Sequence, residues 1–110
     1  MSADADPDTV YGVAENTSTT PITLYAISRS RDPIGRYCVA VNPVCPAQIL
    51  SELAADPDFD VRYAVAEHPS TSVPILERLL GDSETSVREI AANHPNLPRA
   101  TRALWQLAQT

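Results

Sequence analysis

Two histidines, His68 and His94, and two cysteines, Cys38 and Cys45, are the residues of this chain best suited to holding a metal ion or attacking a substrate. The histidines close two similar phrases, VRYAVAEHP from Val61 and VREIAANHP from Val87, so that His94 stands 26 positions after His68. A structural zinc site wants four ligands at short paired spacings, whereas Cys38 and Cys45 have six residues between them and the histidines stand elsewhere. A thiol nucleophile needs a positioned base, and no feature of the sequence supplies one. Asp56-Asp58-Asp60 resembles the start of a calcium loop but lacks the Gly and terminal Glu of an EF-hand, so it and Asp4-Asp6-Asp8 read as helix caps and solubilising charge. With no glycine-rich phosphate loop and no ligand cluster, catalysis, metal and cofactor are all unexpected.

The histidines make more sense once the sequence is slid against itself by that same interval, because a true repeat extends beyond its most visible positions. Asn16, Asn42, His68 and His94 fall in one column, and Thr17, Pro43, Pro69 and Pro95 follow one step later. Ala14, Ala40, Ala66 and Ala92 form another, as do Leu24, Leu50 and Leu76; Ile27, Leu53, Leu79 and Trp105 stand three residues further on. The 110 residues therefore read as one domain of about four repeats, roughly 6–31, 32–57, 58–83 and 84–110. Asn and His share a side-chain donor and acceptor, so Asn16, Asn42, His68 and His94 are expected to satisfy backbone groups at a structural corner.

Within the third repeat, Asp58 or Asp60 caps a short helix whose apolar residues Val61, Ala64 and Val65 share one face. The helix stops at His68-Pro69, since proline restricts the residue before it and donates no hydrogen bond. Ser70, Thr71 or Ser72 caps a second helix with Pro74 in its first turn and Ile75, Leu76, Leu79 and Leu80 facing inward, and Gly81-Asp82 ends it. Helices this short are not stable alone in water, so only stacking of repeat on repeat holds them. That predicts an all-α solenoid, a superhelix with a thin Ala/Val/Leu/Ile core and modest stability. The first repeat lacks the proline corner and the last carries Arg102 in the leucine column and a longer helix from about Pro98 to Ala108. Such atypical ends read as caps, so the stack reads as complete.

The pattern V-R-x-x-V-A-x-H-P, followed by Ser/Thr-Pro, L-x-x-L and an Asp-rich connection, resembles the leucine-rich repeat variant (LRV) family. Val61, Arg62, Val65, Ala66, His68, Pro69, Thr71, Leu76, Leu79 and Asp82 carry it here, and Val87, Arg88, Ala92, His94 and Pro95 carry it again. The resemblance implies alternating α and three-ten helices in a right-handed superhelix without strands. Some members also carry a cysteine-rich iron–sulfur segment, which has no counterpart in this sequence.

Two polar columns point to a partner. Arg36, Arg62 and Arg88 align, and Tyr11, Tyr37 and Tyr63 align one step later, on or beside the border of the buried face. Stacking turns them into stripes of the residue types favoured at binding hot spots. The competing reading has the arginines bridging to acidic residues near Asp32, Asp58 and Glu84 and the tyrosines sealing the seams between repeats. Cys38 reads as a small buried residue and Cys45 as an exposed corner residue. In the terminal helix, Trp105 fills a core column, which leaves Leu104 as an apolar contact for a partner or a second copy.

The leading expectation is a noncatalytic module that binds another protein through its repeat surface or terminal helix, with homodimerisation through that helix as a further possibility. The alternative is an acidic inhibitor or decoy of a host protein, including a nucleic-acid-binding one, such as a phage encodes. The formal charge of −6 makes direct DNA binding the weakest binding reading. No apolar run is long enough for a membrane span and the N-terminus lacks the features of a signal peptide, so a cytoplasmic location is expected, with both cysteines as thiols. All eight basic residues are Arg, a bias that suggests a high-GC genome.

Overall fold

A column of leucines spaced one per repeat demands helices that return to the same register, and the chain supplies them. The computed structural model describes residue 16 and residues 18–109. Over these residues it contains seven α-helices and no strand: α1 (Pro21–Ser28), α2 (Pro33–Val41), α3 (Ala47–Leu53), α4 (Phe59–Glu67), α5 (Val73–Leu79), α6 (Thr85–Ala92) and α7 (Arg99–Ala108). Helices α2, α4 and α6 open successive repeats and stack on one another; α1 and α3, which close repeats, also meet. The result is an all-α helical repeat with extents of 57 × 22 × 16 Å.

Local chemistry fixes where each helix begins. Asp32 and Asp58 cap α2 and α4, their Oδ1 atoms accepting the Ile34 and Asp60 N–H groups at 2.9 Å. Proline stands in the first turn of α1, α2 and α5, where its missing N–H costs no helical bond. Ser72 holds the N-cap position of α5 without a side-chain bond. The neighbouring Thr71 turns inward instead and donates its hydroxyl to the Val65 carbonyl at 2.6 Å.

The repeat-closing helices depart from the alternation of α and three-ten helix that the family resemblance implies. Both α3 and α5 are α-helices, ending in Ala54 N–H to Leu50 O and Leu80 N–H to Leu76 O bonds. Three-residue bonds appear only beyond them, from Ala55 to Glu52 and Gly81 to Arg78. Burial explains this: Ile49, Leu50, Leu53 and Ala54 are all inside, as are Ile75, Leu76, Leu79 and Leu80, and the i, i+1, i+4, i+5 spacing keeps to one face at α-helical pitch but spreads around most of a three-ten helix. Nor does Gly81 make the left-handed turn expected of a glycine stop. Among the described residues no φ is positive, and the turn closes through right-handed geometry that Ala55 adopts at the equivalent place.

The core is a continuous seam rather than a centre. Leu24, Leu50 and Leu76 are completely buried, as are Val39, Val65, Val61 and Val87 from the repeat-opening helices. Each such side chain contributes about 1.5–3 kcal/mol of transfer free energy. Trp105 packs against the end of this seam.

Candidate interaction surface

The corner column forms a ladder through the molecule. Asn42 donates Nδ2–H to the Asn16 carbonyl at 3.0 Å; His68 Nε2 lies 2.7 Å from the Asn42 carbonyl, and His94 Nε2 lies 2.7 Å from the His68 carbonyl. Each residue also folds over its own corner: Asn16 and Asn42 accept the N–H two residues on at 2.7 and 2.9 Å, and His68 and His94 accept it on Nδ1 at 3.0 and 2.9 Å. A backbone N–H only donates, so Nδ1 is the acceptor and Nε2 carries the proton. Both nitrogens of both buried imidazoles are thus held by backbone, which leaves neither lone pair for a metal ion or a substrate proton. The ladder is structural, as its mixture of Asn and His indicates.

A second ladder runs through the arginines. Arg36 meets Asp56 through Nε and Nη2 at 2.7 and 3.2 Å, and Arg62 meets Asp82 through the same two atoms at 2.8 and 3.2 Å. Their Nη1 groups donate to the Ser30 and Asp56 carbonyls at 2.8 and 2.7 Å. These side chains are only 14% and 13% exposed, and the bonded carboxylate raises the pKa of each guanidinium. The acids come from the connection into the next repeat rather than from Asp32, Asp58 or Glu84. Sequence reading passed over Asp56 and Asp82 as partners, although the column Ser30, Asp56, Asp82 marks them. Burial pushes the Asp82 carboxyl up, but the Arg62 hydrogen bond, the Glu84 N–H and the charges of Arg62 and Arg88 together hold it below its ordinary value. Arg88 binds the Asp82 carbonyl at 2.6 Å and Thr85 Oγ1 at 3.0 Å; Ala108 stands where its acid would be.

Cys38 is buried, as its column predicts, and Cys45 is buried too, against expectation. The corner turns residue 45 inward, as it does Thr71 and Leu97 at the equivalent places. Burial pushes the Cys45 thiol up to about 12, which keeps it protonated and poorly nucleophilic. Among the described residues no group of three or more His, Cys, Asp or Glu could hold a metal ion.

What remains on the surface is graded along the stack. The outer edge of α2 presents Ile34, Tyr37 and Val41, which are 55%, 41% and 36% exposed. At the same three positions α4 has Asp60, Tyr63 and Glu67, and α6 has Ser86, Glu89 and Asn93. The edge therefore passes from apolar to acidic to polar. Two depressions follow the seam between α2 and α4. One, of 370 Å³, is lined by Pro33, Ile34, Tyr37, Asp58 and Asp60; the other, of 250 Å³, includes Val41 and Glu67. Neither Asp60 nor Glu67 meets a cation among the described residues. Tyr63 is half-buried against the core, and Tyr11 lies outside the described residues. Among the described residues the exposed aromatic of the column is thus Tyr37.

Helix α7 carries hydrogen-bonding side chains at two positions where the earlier repeats have leucine or isoleucine. Arg102, in the leucine column, donates to the Ala92 and His94 carbonyls at 2.6 and 3.2 Å, and Trp105 Nε1 donates to the Leu80 carbonyl at 3.0 Å. Holding Arg102 and Trp105 inward turns Leu104 and Leu107 out, at 69% and 71% exposure.

Fold and ladders together define a helical-repeat protein whose Asn/His and Arg columns bond within and between repeats and whose exposed large apolar residues lie mainly on α1, α2 and α7. Residues 59–84, which hold α4, α5 and the Arg62–Asp82 clamp, match the leucine rich repeat variant family. No curated protein and no solved structure matches the chain. Among the described residues no helix is long and apolar enough to cross a membrane.

Proposed function

We propose that this chain is a noncatalytic protein-interaction module that docks a partner protein on the α2–α4 face. One observation carries the reading: the apolar edge Ile34, Tyr37 and Val41 stands exposed where the other repeats carry mostly polar residues at the same positions. A repeat scaffold needs no apolar residue there to fold, since Asp60 and Ser86 take the place of Ile34 in equivalent helices. A contiguous apolar edge beside uncompensated carboxylates suits protein recognition, with charge steering the approach. Arg36 and Arg62, offered as partner contacts, are held by Asp56 and Asp82, so the proposed recognition rests on Tyr37 and its neighbours. The same clamps take from duplex binding its regular row of free cations.

The test is affinity capture from lysate of the source cells, with the wild type against Tyr37→Ala and both shown folded by circular dichroism. Enrichment of one protein by the wild type, lost in the variant, supports the reading. Equal recovery by wild type and variant would move docking off this face.

A further inference from the structure

From the same α2–α4 face, and resting on its reading as a docking site, we infer that its occupant is the α7 helix of a second copy of this chain. The two surfaces are complementary in length, polarity and charge. On the groove, Ile34 and Val41 stand seven positions apart with Tyr37 between them, about 10 Å at 1.5 Å per residue. On α7, Ala100, Leu104 and Leu107 recur at i, i+4 and i+7 and so cover the same length. All six side chains are exposed, so both stripes present apolar surface to solvent. The helix RATRALWQLA contains two arginines and no acid, while Asp58, Asp60 and Glu67 line the groove. Arg99 is exposed at the start of α7, one residue before Ala100, and so reaches a groove carboxylate when the apolar stripe is seated. The other apolar depression, bounded by Ile22, Tyr25 and Ile49, has no charged lining residue and offers α7 no such match.

Because helix and groove are different surfaces of one molecule, the contact is head-to-tail, and a joined pair still has one free helix and one free groove at its two ends. A ten-residue helix covers less than the roughly 1,200 Å² of a standard stable interface, so association is weak and grows with concentration.

The repeat supplies fold-compatible substitutions for the test. Leu104→Glu places on α7 the residue that α3 has as Glu52, and Ile34→Asp with Tyr37→Glu places on α2 the residues that α4 and α6 have as Asp60 and Glu89. Sedimentation velocity and light scattering over a concentration series read the outcome, with thermal melts confirming that each variant is folded. Wild type forms species that lengthen with concentration, and each variant alone associates at least tenfold more weakly. An equimolar mixture of the two restores one intact helix and one intact groove, and so forms dimers that grow no further. Arg99→Glu lowers wild-type association, and added salt does the same. If the groove variant associates like wild type, the contact is α7 against α7 and the inference falls. It falls equally if the wild type stays monomeric at all concentrations; lysate capture by the α2–α4 face then decides the partner reading independently.

Discussion

His68 satisfies a carbonyl of the previous repeat and an N–H of its own corner with one ring, and Asn42 makes the same two bonds with an amide. His68→Asn is therefore expected to shift the thermal midpoint little, whereas His68→Ala leaves two backbone groups without partners and costs about 1–3 kcal/mol in chemical denaturation. Equal losses for the two variants would mean that ring packing, not hydrogen bonding, holds the corner. Cys45 makes a different residue-scale prediction. Its thiol is buried and pushed up to about 12, so thiol reagents at neutral pH should label it only on unfolding. The His/Asn column was legible in the sequence because only a shared bonding role unites those side chains. Cys45 was misread because a residue before proline in a corner carries no pattern to show which way it points.

Between elements, the Arg62–Asp82 clamp fastens α4 to the connection that leads into α6. A carboxyl held below its ordinary value adds stability that is complete above that value and lost as pH falls through the lowered one. The difference in thermal midpoint between wild type and Asp82→Asn should thus be largest at neutral pH and shrink below about pH 4, the ordinary carboxylate range. The Arg column was plain in the sequence, but its acids lie 20 residues onward, a spacing set by the path of the chain around one repeat. Glycine gives the second test at this scale. Gly81 has a right-handed backbone, and an added Cβ would meet only the Arg78 carbonyl oxygen at 3.6 Å; Ala55 already stands at the equivalent position. Gly81→Ala should raise stability by about 0.4–1 kcal/mol through the unfolded chain. A loss would show that the turn uses the freedom of glycine after all.

At the scale of the whole molecule, helices touch mainly their neighbours along the stack, so stability is a sum of units and interfaces. Hydrogen exchange should find the strongest protection in α4, which is packed on both sides, and earlier opening of α7, none of whose residues is fully buried. Arg102→Leu restores the repeat's leucine but abandons the Ala92 and His94 carbonyls, so α7 should lose protection first while α4 is spared. Uniform loss across all helices would instead mark a single cooperative unit.

By itself the sequence determined the period, the helical class, the core columns and the corner ladder, because each recurs once per repeat and recurrence exposes what a position must do. Only the tertiary structure decided the α-helical pitch of α3 and α5, the burial of Cys45 and the partners of Arg36 and Arg62. It also showed that Ile34, Tyr37 and Val41 face outward together beside Asp58 and Asp60. These features depend on how one repeat rests on the next, and the distance and direction between stacked helices are set by side-chain packing that a column of letters does not carry.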